Sequence, residues 1–240
     1  MNEQQLFKSK ILDMNDLKRS DFEKVNSIFD SFFGLNWPEV PLRRWEYVAA
    51  VIFSGIMEKP GYCLDAGCGR NVFAHFLAMS GCKIVCTDIG QHRQGGNRIE
   101  YLNMSMHEMS FEDNHFDYVF AMSSIEHVNA GRYKIAGMDF DVGDTQAMKE
   151  LVRVLKPGGI LILTTDYADK YYPPPGLWHG ASHRIYDYHS ILDRLFTPVS
   201  NCMILEDGLS ATPDFDWTKL KEVEPIGYDY TEMIMTLQKC

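Results

Sequence analysis

The stretch that most constrains this 240-residue chain runs over residues 61–88. Tyr62, Cys63 and Leu64 form a short apolar run that turns polar at Asp65, as a buried parallel strand does at its carboxyl end. Gly67 and Gly69 allow a tight turn and leave bare backbone for a ligand to approach. From about Asn71 the apolar residues Val72, Phe73, Phe76 and Leu77 recur at helical spacing. Residues 83–87 read as a second strand, ending at Asp88. An acid at the tip of the second strand, roughly 20 residues past the turn, is placed to hydrogen-bond ribose hydroxyls.

This pattern departs from the dinucleotide-binding one. The third glycine of G-x-G-x-x-G would fall at Val72, and that glycine lets a helix pack close beneath a pyrophosphate. Asp65 beside the turn would repel phosphate and suit a cation. The ligand implied has a ribose, no pyrophosphate and a positive charge, and S-adenosylmethionine has all three properties. The run Leu64-Asp65-Ala66-Gly67-Cys68-Gly69 also closely resembles motif I of class I S-adenosylmethionine-dependent methyltransferases. The resemblance implies an α/β, Rossmann-like doubly wound fold with a mostly parallel seven-stranded sheet and an antiparallel last strand. It also implies cofactor contacts from Asp65, Ala66, Gly67, Cys68, Gly69, Asp88 and Ile89, with Asp65 on the methionine amino group and Asp88 on ribose.

Composition narrows the partners. A net charge of −10 opposes a broad nucleic-acid footprint or an anionic membrane surface. The 45% hydrophobic content is ample for a core, and no run reaches the ~18 apolar residues of a membrane span. The N-terminal residues, with Glu3 among them, have no leader-like apolar centre. Six cysteines sit mostly in strand-like runs without paired C-x-x-C motifs, so reduced thiols in a cytoplasmic protein are expected and zinc is not.

Along the chain, residues 1–60 hold two helix patterns. One starts at Ser20 or Asp21, carries Phe22, Val25, Ile28 and Phe29, and ends at Gly34; the other covers 42–57. By the family resemblance they form an N-terminal helical cap on a methyltransferase domain at 61–240. Arg44 and Glu46 are expected as a helix-surface pair. Residues 98–103 read as a third strand. The following segment resembles the family's adenine-gripping segment, which implies Ser105 and Met106 as adenine contacts. Residues 118–122 form the fourth strand. Its carboxyl end, Met122 followed by Ser123-Ser124-Ile125-Glu126-His127-Val128, should face the cofactor's methyl group, with Met122 among the cofactor contacts. His127 is the candidate base for a hydroxyl acceptor. Ubiquinone-type O-methyltransferases bind a metal through a similar run with an extra Glu, where this chain has Ser123, so no metal is expected.

Asp139, Asp141 and Asp144 do not match a calcium loop and are expected in a solvated insertion, with Asp144 or Thr145 capping the next helix. Lys156-Pro157-Gly158-Gly159 resembles the family's post-helix turn and opens a fifth strand at 160–165. Residues 166–187 form a long aromatic loop, too aromatic for disorder. Its Trp178, His183, Arg184 and Tyr186 are the candidate substrate contacts; the Arg-x-Tyr spacing resembles methyltransferases of glycan and natural-product clusters. A helix at 188–196, strands at 199–205 and 230–237, and a pocket-rim excursion at 206–229 complete the chain. The expected function is methyl transfer from S-adenosylmethionine to oxygen of a small hydroxylated acceptor, such as a sugar or glycan precursor or a natural product. The alternatives are a non-catalytic scaffold that binds S-adenosylmethionine, or a nitrogen or protein acceptor. Val72 and the Lys-Pro-Gly-Gly turn oppose a nicotinamide oxidoreductase.

Overall fold

Alternate residues of the central strands go to opposite faces of one sheet, and both faces are apolar, so helices must cover both. The computed structural model describes residues 10–12, 15–33, 41–69, 72–90, 95–168, 170–173, 183–205 and 231–240. In chain order its strands are β1 (Lys10–Ile11), β2 (Tyr62–Ala66), β3 (Lys83–Asp88), β4 (Ile99–Asn103), β5 (Phe116–Met122), β6 (Leu155–Tyr167), β7 (Cys202–Ile204) and β8 (Thr231–Lys239). Across the sheet the order is β4-β3-β2-β5-β6-β8, parallel from β4 to β6. β8 runs antiparallel to β6 from Ile160↔Gln238 to Tyr167↔Thr231. The mostly parallel sheet with an antiparallel last strand is therefore the one the sequence predicts. The difference is β1, an eighth strand from the N-terminal segment expected to be helical, which pairs with β8 at Met233 and Ile234.

Leu64, Val85, Val119, Ala121, Leu161 and Leu163 face α4 (Gly143–Val154) and α5 (Tyr188–Ser190, continuing in π geometry over Ile191–Phe196). Cys63, Ile84, Cys86, Phe120, Ile162 and Ile234 face α1 (Ser20–Phe33), α2 (Pro41–Ser54) and α3 (Phe73–Met79). Phe22 and Phe29 of α1 are buried, and the Phe29 ring stacks on Phe76 of α3 at 3.8 Å. α2 lies in the same core as the sheet, with Trp45 fully buried and its indole N–H donating to Asp16 at 3.1 Å. The Arg44–Glu46 surface pair does not form. Arg44 reaches Asp30 at 3.1 Å, while Glu46 is buried and held by Arg43 at 2.7 Å.

The Lys156-Pro157-Gly158-Gly159 turn is a bulge inside the β5–β6 ladder. Phe116 pairs with Leu155 and Tyr118 with Ile160, so β6 advances five residues while β5 advances two. Gly158 takes φ +75°, and a side chain at Gly159 would meet the Lys156 and Asp117 carbonyl oxygens at 2.8 and 2.9 Å. Lys156 also bonds Asp117 at 2.7 Å, which accepts from the Tyr62 amide at 2.9 Å and so fixes the start of β2. Gly34, Asn71, Trp178, the 206–229 excursion and Tyr230 lie outside the described residues.

Candidate active site

The turn after β2 is stitched to β3. The Gly67 and Cys68 amides donate to the Thr87 carbonyl at 2.8 and 3.1 Å, and the Gly69 amide donates to Asp88 Oδ2 at 2.7 Å. Gly67 and Gly69 both sit in left-handed backbone, at φ +72° and +51°. Side chains rarely adopt that region, which is why the turn needs glycine. A cleft opens at the carboxyl ends of β2, β3 and β5, where an open parallel sheet binds ligands. Gly67, Gly69, Asp88 and Ile89 line it together with Ser105, Met106 and His127.

This lining fits S-adenosylmethionine. A Cβ at Gly69 would meet nothing within 4 Å, so the turn presents open space. No Lys or Arg is among the described residues that line the cleft, and Asp88 is. A phosphate would find no Lys or Arg among the described lining residues, whereas a ribose and a sulfonium find a carboxylate. Asp88 would hold ribose hydroxyls, with Ser105 and Met106 beside the adenine.

Other expected contacts lie behind the wall. Asp65, next to the last residue of β2, is fully buried. Ala66 is buried, and its carbonyl accepts from the Ser124 hydroxyl at 3.0 Å. Cys68 and Met122 pack in the core under α2 and α3, so their side chains do not line the cleft. Ser105 reaches the cleft with its hydroxyl already bonded to His107 Nδ1 at 2.6 Å. Ser124 of the expected run lines the cleft, and sequence reasoning missed Asn129 and Tyr133, which also line it. The missed signal was position, since both lie just past the run assigned to the site, which ended at Val128.

His127 ends a single 3₁₀ turn, Ile125–His127, just past β5. Its Nε2 lies 3.8 Å from Glu126 Oε1, and its ring meets Tyr133 edge-on at 5.9 Å. The buried Glu126 carboxyl accepts from Thr165 at 3.1 Å. Burial pushes it up to about 8, and Asp166 adds to the shift. Glu232, across from Asp166 in the β6–β8 ladder, is also buried and is pushed well above the carboxylate range by burial, then by Glu46 and Asp166. Ser123, at φ +42°, donates its hydroxyl to Glu46, which also accepts from Thr164 at 3.0 Å. The helix before the sheet thereby grips the start of the His127 loop.

The four expected substrate contacts divide. Trp178 lies outside the described residues. His183 is close to the site, with Nε2 hydrogen-bonded to Asp166 Oδ2 at 2.6 Å and its ring 4.8 Å from that of His127. Arg184 and Tyr186 are corrections, because both are fully buried and face α4 rather than a ligand. Arg184 donates to the Val128 carbonyl at 2.6 Å and pairs with Asp144 at 3.3 Å, and Tyr186 donates to Asp144 at 2.9 Å. Asp144 is in turn no exposed cap. It is buried at the start of α4, where it also holds Arg194 at 2.8 Å.

Comparison with known proteins agrees with this geometry. Residues 64–163 match the family model described as a methyltransferase domain. Sterol 4-C-methyltransferase strm-1 of Caenorhabditis elegans is 28% identical over 171 residues, covering 61% of this chain and 47% of that protein. The ubiquinone biosynthesis O-methyltransferase of Xanthomonas oryzae pv. oryzae is 23% identical over 158 residues, 61% of each chain. This chain thus spans less than two thirds of the length of these relatives. Among solved structures, Burkholderia thailandensis 1,6-didemethyltoxoflavin-N1-methyltransferase, bound to 1,6-didemethyltoxoflavin and S-adenosylhomocysteine, superposes with a TM-score of 0.57 at 14% identity. That match covers 92% of this chain and 91% of the other, and shows the shared fold. With motif I turning beneath the cleft and Asp88 lining it, residues 64–163 are the core of a class I S-adenosylmethionine-dependent methyltransferase domain, with S-adenosylmethionine as its cofactor.

Proposed function

We propose that the protein transfers a methyl group to an oxygen atom of a small hydroxylated acceptor, of the size of a sugar, glycan precursor or natural product. The observation that carries this reading is His127, partly exposed in the cleft lining, on the turn that follows the carboxyl end of β5. When bound, S-adenosylmethionine supplies an activated methyl carbon, and the carbon–sulfur electron pair stays on sulfur as the carbon–oxygen bond forms. The protein's part is to align the acceptor and take its proton. His127 takes the hydroxyl proton. Ser123 and Ser124 shape the wall beside it, and the Arg184 latch keeps its loop in place. The acidic balance of the chain and the absence of Lys and Arg from the described cleft lining favour a small molecule over nucleic acid. No helix among the described residues is long and apolar enough to cross a membrane. All six cysteines are free and five are buried, which suits a cytoplasmic setting.

The test is transfer of labelled methyl groups from S-adenosylmethionine into fractionated small-molecule extracts, followed by mass spectrometry of the product. An O-methyl product supports the reading, and an N-methyl product or methylated protein overturns it. On the acceptor so found, His127→Ala should slow turnover about a hundredfold, within the usual range for a general base, while S-adenosylhomocysteine binding is retained. An unchanged rate removes His127 from the role.

A further inference from the structure

His183 and Asp166 lie one ring beyond the proposed base. The His183 and His127 ring centroids are 4.8 Å apart with planes 57° apart, and Asp166 holds His183 Nε2 at 2.6 Å. The backbone fixes this approach. The Arg184 amide donates to the Glu126 carbonyl at 3.1 Å, so the residue after His183 is tied to the residue before His127. The Tyr186 amide donates to the Asp166 carbonyl at 3.0 Å, which anchors the same segment to the end of β6. Two imidazoles are thus held against each other, with Asp166 bonded to His183 and the Glu126 carboxyl 3.8 Å from His127 Nε2.

We propose that His183, clamped by Asp166, is a positioning residue for His127: its imidazolium faces the His127 ring and keeps that ring neutral, in the form that accepts a proton. The inference rests on the reading of His127 as the base. Burial alone would pull His183 down, but the hydrogen bond to Asp166, with the charges of Asp166 and Glu126, leaves it above the ordinary histidine value. Its partners thus favour the protonated form. Glu126, on the same turn, has a carboxyl that burial keeps largely protonated near neutral pH. Tyr133 presents a ring edge at 5.9 Å. Asp166 is engaged with His183, and the nearby Arg43 of α2 is paired with Glu46. Glu232 of β8 is shifted upward by burial, as Glu126 is. A second positive charge on His127 would face the first across 4.8 Å, and that repulsion also speeds release of the proton after each transfer.

The competing arrangement, in which Asp166 acts through His183 as a counter-ion for a protonated His127, predicts the opposite sign. The experiment is a nitrogen-15 NMR titration of the histidine rings in the S-adenosylhomocysteine complex of the wild type, His183→Gln and Asp166→Asn. His183→Gln removes the facing positive charge alone, so the His127 midpoint should rise by about half a pH unit or more, whereas Asp166→Asn removes a carboxylate together with the proton it holds on His183 and should move the midpoint less. On the acceptor identified above, the acid limb of kcat/KM should move up by the same amount, a shift that mere loosening of the loop would not produce. A His127 midpoint that stays put or falls in His183→Gln overturns the proposal, and His183→Gln alone decides should Asp166→Asn not fold. The titration needs no acceptor. A negative result there with turnover still lost in His127→Ala removes only the role of His183, whereas full activity in His127→Ala removes the base itself.

Discussion

The Arg184 guanidinium donates to the Val128 carbonyl at 2.6 Å, so a side chain from the segment after β6 holds the backbone next to His127. Arg184 is fully buried and its counter-ion, Asp144, is equally buried. Removing one partner of a buried ion pair leaves the other uncompensated, at a cost of about 3–5 kcal/mol. Arg194 still neutralises part of Asp144, so Arg184→Ala should fall near the lower end, about 3 kcal/mol, in urea unfolding. It should also depress turnover more than cofactor affinity, since it frees the His127 loop and leaves the Gly67–Asp88 side intact. Equal losses of both would show that the latch serves the whole fold and not that loop.

Asp88 has one oxygen fixed by the Gly69 amide at 2.7 Å, which orients the carboxylate across the cleft. Asp88→Ala should weaken S-adenosylhomocysteine binding at least about tenfold by calorimetry, the loss of charge-assisted hydrogen bonds worth roughly 1.5–3 kcal/mol. Undiminished affinity would mean that ribose is held elsewhere.

The two turn glycines should respond differently to alanine. A Cβ at Gly67 would stand 2.6 Å from Ser124 Cβ and 2.8 Å from Met106 Cε, whereas one at Gly69 has open space. Gly67→Ala therefore combines backbone strain with overpacking and should cost about 1–3 kcal/mol of stability. Gly69→Ala should cost about 1 kcal/mol, from its positive φ alone, yet weaken S-adenosylhomocysteine binding, because its methyl group enters the ligand's space. Thermal melts with and without ligand separate the two effects.

Stability should fall as pH rises from about 4.5 to about 8. Glu126 binds its proton more tightly when folded, with a value raised to about 8 from an unfolded value near 4.5. Between those limits the native state holds more protons than the unfolded state, so each pH step upward favours unfolding. Glu232 shifts in the same direction. His183, also raised, adds stability that is complete below its unfolded value and lost as pH passes its folded value. Glu126→Gln should flatten the melting temperature against pH over this window, while an unchanged slope would place the dependence elsewhere.

What the sequence revealed was whatever depends on near neighbours. Motif I, the strand alternation and the two N-terminal amphipathic helices are local patterns, and each formed within a few residues of its expected place. Asp88 and Gly69 were legible as one unit because the turn and the second strand tip lie close in the chain. Arg184, Tyr186 and Asp144 were misread for the opposite reason. A polar residue in a loop looks solvent-facing until a partner arrives from far away, and Asp144 lies 42 residues from the Tyr186 hydroxyl that it accepts. Glu46 is the same case. Its Arg43 partner is three residues away, but Ser123 and Thr164, which account for its burial, come from the ends of β5 and β6.

The outer side of β8 carries two short partners, β1 along Met233 and Ile234 and β7 along Leu237, Gln238 and Lys239. A bare strand flank invites a foreign chain to dock by backbone pairing. Here much of that flank is already taken by the protein's own first and next-to-last strands, so cutting away the residues around Lys10 would do more than shorten the molecule. It would turn a sealed margin into an adhesive one, and the truncated protein would self-associate along β8 before it lost its cofactor cleft.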